Sequence, residues 1–241
     1  MNPSNSDLQT TLQKGELELK GQFMFGSNYT FLVHVHYEGC ELPAVYKPLR
    51  GEQPLWDFPD NTLARREVAA YLISEALGFH FIPYTTLRQD GPFYGHGSLQ
   101  QYIESDPEYH YFNFSDSDKQ RLRPVVLFDL LANNADRKGS HILVQKRTRK
   151  LYLIDHGLCF HTEDKLRTVL WDFAGEPFSA ELTEALKRFR ITLKSGLAIQ
   201  LSTYLLPDEI EALDTRAAKL LAGCQFPDPP EDRRAFPYPP L

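Results

Sequence analysis

The hydrophobic period of this chain changes once along its length, and that change decides its layout. Up to about residue 103 the apolar signal is mostly of period two. Residues 16–20 alternate, 29–37 are rich in aromatic and β-branched side chains, 42–47 repeat the pattern, and 85–87 and 98–103 add two short runs. Past residue 118 the period becomes helical, over 118–133, 179–190, 193–204 and 207–221, broken only by strand signals at 141–145 and 151–154. One helix over 62–77 interrupts the strand-rich half, with Asp60 or Asn61 as its N-cap and Gly78 as its stop. The expected fold class is therefore α+β. An antiparallel sheet with one helix occupies residues 13–104, a mainly helical lobe occupies 105–225, and the cleft between them is a place for a ligand.

The two ends carry different signals. Residues 1–12 are polar and are expected to be flexible. Residues 226–241 hold six of the 17 prolines, so they cannot sustain a helix; they are either loose or extended over the body.

Composition removes several classes. The net charge of −6 argues against a nucleic-acid partner, which needs a basic surface. Cys40, Cys159 and Cys224 are too few and too scattered for a disulfide framework or a CxxC metal site. No apolar run approaches the roughly 18 residues of a membrane span, and the first residues lack the pattern of a secretory leader, so the expected location is the cytosol. The basic run 146–150 reads as a hairpin turn. His34 and His36 share one face of a strand as a partial zinc site without an evident third ligand, and a solvent-facing pair is expected.

The chemistry concentrates in NNADRKGSHIL and LYLIDHGLCF, within residues 133–160. Asp136 leaves a helix into a loop, and Asp155 ends a short apolar strand further along. Taken singly, each aspartate could be an ordinary turn residue. Together they match the needs of phosphoryl transfer, one carboxylate for the attacking hydroxyl and one for the metal on the phosphates. Two further residues supply the nucleotide side. Lys47 ends the apolar strand LPAVYK, and Glu67 lies in the helix that follows, where it can pair with the lysine. The loop GQFMFGSNYTF offers backbone N–H groups with Ser27 and Asn28 as added donors, although alone it would pass for a hairpin turn.

The order of glycine-containing loop, VYKP, helix glutamate, NxDR and (I/L)DxG resembles the phosphatidylinositol 3- and 4-kinase-like superfamily, which includes the HipA-type bacterial kinases. The similarity covers roughly residues 15–205 and is greatest to a bacterial group described only as lipid-kinase-like. The resemblance implies a two-lobed protein-kinase-like fold, ATP as donor, Mg²⁺ or Mn²⁺, and a hydroxyl acceptor on a protein, lipid head group or small molecule. It makes Lys47 the phosphate-pairing lysine, Glu67 its partner, Asp136 the catalytic aspartate, Asn134 and Arg137 the rest of NxDR, and Asp155 a metal ligand. Residues 100–104, with Gln101, Tyr102 and Ile103, stand where the hinge meets adenine.

Three departures matter. His141 replaces the asparagine that holds a second metal, and an imidazole suits Mn²⁺ better than Mg²⁺. His156 stands where many kinases have phenylalanine. The stretch between Gly157 and the helix at Ser179 is too short for a long activation segment. Two other readings stay open: a nucleotide-binding pseudokinase acting as a regulatory or scaffold module, and a kinase-fold adenylyl transferase. The acidic chain shows no basic or amphipathic membrane face, which disfavours a phosphoinositide acceptor.

Overall fold

The protein is described from a computed structural model, which describes residues 5–24, 28–92 and 94–241. The period-two runs form one antiparallel sheet of five strands, ordered β1-β2-β3-β5-β4. Its strands are β1 (Glu16–Gln22), β2 (Phe31–Tyr37), β3 (Cys40–Pro48), β4 (Thr85–Gly91) and β5 (Gly95–Gln101). Alternation along β2 and β3 sends Phe31, Val33, Val35, Ala44 and Tyr46 to one face, where they bury with Leu99.

Residues 5–12, expected to be flexible, are ordered. Helix α1 (Asn5–Lys14) lies on the sheet and buries Leu12 in the same core. Its C-terminal end is pinned from a distance: the Arg88 guanidinium donates to the carbonyls of Leu12 (2.8 Å) and Gly15 (2.7 Å), a cation set against the negative end of the helix.

Helix α2 (Leu63–Leu77) lies within the expected span, and Gly78 closes it at φ 75°, a left-handed position that favours glycine. Its start differs. Thr62 precedes the first turn, and the Glu52 carboxylate accepts from Leu63 N–H (3.1 Å) and Ala64 N–H (2.8 Å), doing the work expected of Asp60 or Asn61. The apolar side chains of α2, among them Ala69, Ile73 and Leu77, belong to the core of the helical half rather than to that of the sheet.

The helix expected over 118–133 is two: α3 (Asp116–Gln120) and α4 (Arg123–Ala132). Pro124 explains the break, because it has no N–H for the Gln120 carbonyl four residues back and its ring clashes there. A hairpin of β6 (Ile142–Val144) and β7 (Leu151–Leu153) follows. The basic run is its turn: Arg149 pairs with Asp118 and Lys150 sits over Tyr152. Helices α5 (Ala180–Thr192), α6 (Ala198–Leu201) and α7 (Pro207–Gly223) complete the lobe. The helix expected over 193–204 shrinks to α6, because Leu193–Leu197 makes a wider turn in which Gly196 leaves helical geometry. Among the described residues no helix is long and apolar enough to cross a membrane.

Of the two courses open to 226–241, the extended one is observed. Phe226 is buried against Phe173 and Phe178, and the following prolines run back over the helical lobe.

Candidate active site

The alternation that buries Tyr46 turns Lys47 to the opposite face of β3, toward the helical lobe. There its ammonium donates to Glu67 Oε1 (2.6 Å) from α2 and to Asp155 Oδ1 from the end of β7. Burial works against the charge on Lys47, but Asp155 and Glu67 outweigh it and hold the pKa above the usual lysine range. The same pairing holds both carboxylates below their usual values against the opposing effect of burial. All three groups are therefore charged at neutral pH. Asp155 has φ 60°, a left-handed conformation that aspartate tolerates better than most residues, and its side chain remains 43% exposed.

His141 closes the other side of Asp155, with Nε2 3.2 Å from Oδ2. Burial pushes its imidazole down to about 4, so it is neutral at pH 7 and has a lone pair to offer. Asp155 and His141 thus converge as one carboxylate and one imidazole, a donor set that fits a divalent cation sharing its remaining positions with phosphates and water. Among the described residues no three His, Cys, Asp or Glu side chains are grouped to hold a metal by themselves. That also removes the zinc reading of His34 and His36, which face Glu41 and Glu18 on the exposed side of the sheet.

Asp136 lies in the loop after α4. Burial raises its carboxyl to about 6, moderated by Lys138 Nζ at 3.3 Å and reinforced by the charge of Asp155. Lys138 escaped the sequence reading; a base two residues beyond Asp136 was its only signal.

Arg137, expected among the catalytic residues, has no exposed surface and does not reach the cleft. Its guanidinium forks onto Asp129 (2.9 and 3.0 Å) and donates to the Ile154 carbonyl (3.0 Å) and His156 Nε2 (2.8 Å). Arg137 is thus a positioning residue that ties α4 to the strand carrying Asp155. Asn134 braces the same loop, donating to Asp129 Oδ1 (3.1 Å) and accepting from Asp136 N–H (2.9 Å).

This network gives His156 a use that its sequence position did not reveal. Arginine can only donate, so Nε2 of His156 is the acceptor and the ring proton sits on Nδ1, which lies 3.6 Å from Glu67 Oε2. The His156 backbone N–H donates to that same oxygen (3.0 Å). Glu67 is thereby held from the helical lobe by one oxygen while the other holds Lys47. Edge-on packing against Phe128 replaces the apolar anchoring expected of phenylalanine.

The remaining nucleotide candidates fare unevenly. Asn28 Oδ1 accepts from Gln53 N–H (2.7 Å), which ties it to the turn after β3. Ser27 lies outside the described residues. At the hinge, Gln101 N–H is committed to the Tyr84 carbonyl (2.9 Å) and Tyr102 N–H to that of Pro43 (3.2 Å). Neither N–H is directed to adenine, which leaves Ile103, with its side chain buried, as the hinge candidate. A groove of about 500 Å³ lined by Phe79, Phe81, Arg121, Arg123 and Lys150 shares no residue with this cluster.

No protein-family model matches the chain. Among solved structures, a hydra Fam20 determined with sugar aligns with a TM-score of 0.58 at 13% identity, over 91% of this chain and 88% of its own. The Helicobacter pylori proinflammatory kinase CtkA aligns with a TM-score of 0.54 at 11% identity, over 89% of this chain and 94% of its own. At these identities the likeness is one of fold, and the fold is the two-lobed kinase-like one. Protein Rv2133c of Mycobacterium tuberculosis (strain ATCC 25618 / H37Rv) is 39% identical across 97% of this chain and 95% of its own length, and this chain belongs to its family.

Proposed function

We propose that the protein is an ATP-dependent phosphotransferase that moves the γ-phosphoryl group to a hydroxyl on a protein, lipid head group or small molecule, as the likeness of its motifs to the PI3/4-kinase-like and HipA-type enzymes suggests. What supports this is the meeting of Lys47, Glu67 and Asp155, drawn from a strand, a helix and the opposite lobe, within salt-bridge distance. Three buried or half-buried charges at one point are costly unless each serves another, and a triphosphate with its cation is a ligand that uses all three. Lys47 would exchange its Asp155 contact for phosphate oxygens while Glu67 keeps it aimed.

Asp155 and His141 would hold the divalent cation, which when bound neutralises charge on the phosphates. Asp136, with its carboxyl near 6, is ionised at pH 7 yet basic enough to accept a proton from the acceptor hydroxyl. Lys138, beside it, offers positive charge where the phosphoryl group passes.

The first test is thermal stability and ADP release with ATP and either cation. At a hundred times Kd, ATP should add about 2.7 kcal/mol, roughly 5–10 °C for a chain of this size. Absence of any metal-dependent shift would end the proposal. A shift without turnover would favour the pseudokinase, and a product carrying AMP would favour adenylyl transfer.

Mn²⁺ should outperform Mg²⁺ because His141 supplies nitrogen, and His141→Asn should reverse the order. An unaltered metal preference in that variant would remove His141 from the metal site. Turnover should rise about tenfold per pH unit below a midpoint near 6, where Asp136 loses its proton, and level off above it. In Asp136→Asn the little activity left should show no such inflection, and a retained midpoint would assign it to another group.

A further inference from the structure

The proline-rich tail is the largest feature that the proposed chemistry leaves unused, and its contacts fall on the residues around Asp136. The Pro240 carbonyl accepts from Gly139 N–H (2.8 Å), in the loop that links Asp136 to His141. The Ala235 carbonyl accepts from Thr168 N–H (3.0 Å) and from the Trp171 indole N–H (3.3 Å). Arg233 donates to the Leu166 carbonyl (2.6 Å) and pairs with Asp164 (2.7 Å). Residues 164–171 belong to the short stretch after Asp155, and that stretch is in turn joined to the loop. Arg137 N–H donates to the Arg167 carbonyl (3.0 Å), and Val169 N–H donates to the Arg137 carbonyl (3.2 Å). Loop, short stretch and tail therefore lie side by side, each bonded to the next.

Proline suits the outermost position. It presents carbonyls without an N–H of its own to satisfy, and its fixed φ lowers the entropy lost on docking. Anchoring comes from Phe226 at the near end and from buried Ala235 midway. Where the stretch after Asp155 is too short to brace itself, a strap from elsewhere in the chain supplies the missing backbone partners.

We infer that residues 233–241 are a positioning strap for phosphoryl transfer, holding the Asp136 loop and the stretch after Asp155 in their working arrangement. This rests on the phosphotransfer reading and adds to it a group of residues outside the cleft. The strap touches neither Lys47 nor Glu67, so loosening it should slow transfer and leave ATP binding alone.

The test uses the full chain with Arg233→Ala and, separately, Ala235→Asp, which places a charge at a buried docking point. ATP with Mn²⁺ is the substrate and water the acceptor, and amide exchange at Gly139 and Thr168 is followed in parallel. Both amides should exchange faster, kcat should fall at least about tenfold, and KM for ATP should stay within about twofold. An equal or higher kcat overturns the proposal, the latter marking the tail as a brake. A kcat loss with the Gly139 amide still protected, or one matched by a rise in KM, also overturns it. If Ala235→Asp does not fold, Arg233→Ala carries the decision. A wild type that neither binds nor turns over ATP ends the phosphotransfer reading and the strap with it; active wild type matched by its variants ends the strap alone.

Discussion

Replacing Asp155 with asparagine should abolish metal-dependent nucleotide stabilisation and lower turnover by about a thousandfold, equivalent to ~4 kcal/mol of barrier. The amide keeps the shape but loses the charge that both Lys47 and a cation require. Folding should survive, because the side chain is 43% exposed and Lys47 retains Glu67 as a partner. Calorimetry or thermal-shift titration with ATP and Mn²⁺ separates the two effects. A variant keeping the metal-dependent shift and a tenth of the turnover would show that Asp155 is not the metal carboxylate.

The second large effect is on stability. Asp129 is the sole carboxylate among the side chains bonded to the buried Arg137 guanidinium in the described structure, and neither residue has appreciable exposure. Asp129→Ala strands that cation in the core and should cost about 3–5 kcal/mol, lowering Tm by roughly 6–20 °C. The double change Asp129→Leu with Arg137→Met should recover much of the loss, since apolar residues of similar volume often match a buried pair. Turnover should not recover with it, because Ile154 and His156 lose the guanidinium that aims the strand before Asp155. A single variant melting within about 2 °C of the wild type would remove the pair from the stability of the lobe.

The parts legible in the sequence are those with local periodicity. The five strands, α2 with Gly78, and the placement of Lys47 on the face opposite Tyr46 all follow from residues adjacent in the chain. The meeting of Lys47 with Glu67 and Asp155 was legible only as a combination, since a strand-end lysine is ordinarily solvated. Helix α1 was missed because Leu8 and Leu12 give one thin apolar stripe, and its capping cation, Arg88, lies far along the chain. The tail was left open because its bonds to Gly139 and Thr168 run through backbone groups, which carry no residue signature. Arg137 was the reachable miss. Asp129 stood out as a lone acid in an apolar helix, a buried carboxylate demands a cation, and the arginine in the loop just after that helix was at hand.

The allegiance of α2 sets which parts of the cleft can move. Ile73 and Leu77 root it among the helices, and Arg66, with no room to rotate, fastens it to Glu209 on α7 and to the Cys159 carbonyl (2.6 Å). Glu67 and Asp155 consequently form one fixed jaw, and only the sheet, carrying Lys47, can serve as the other. Opening to admit a nucleotide would draw the lysine away from both acids in a single stroke, so the enzyme would sense its occupant through the travel of one cation rather than through the swing of a helix.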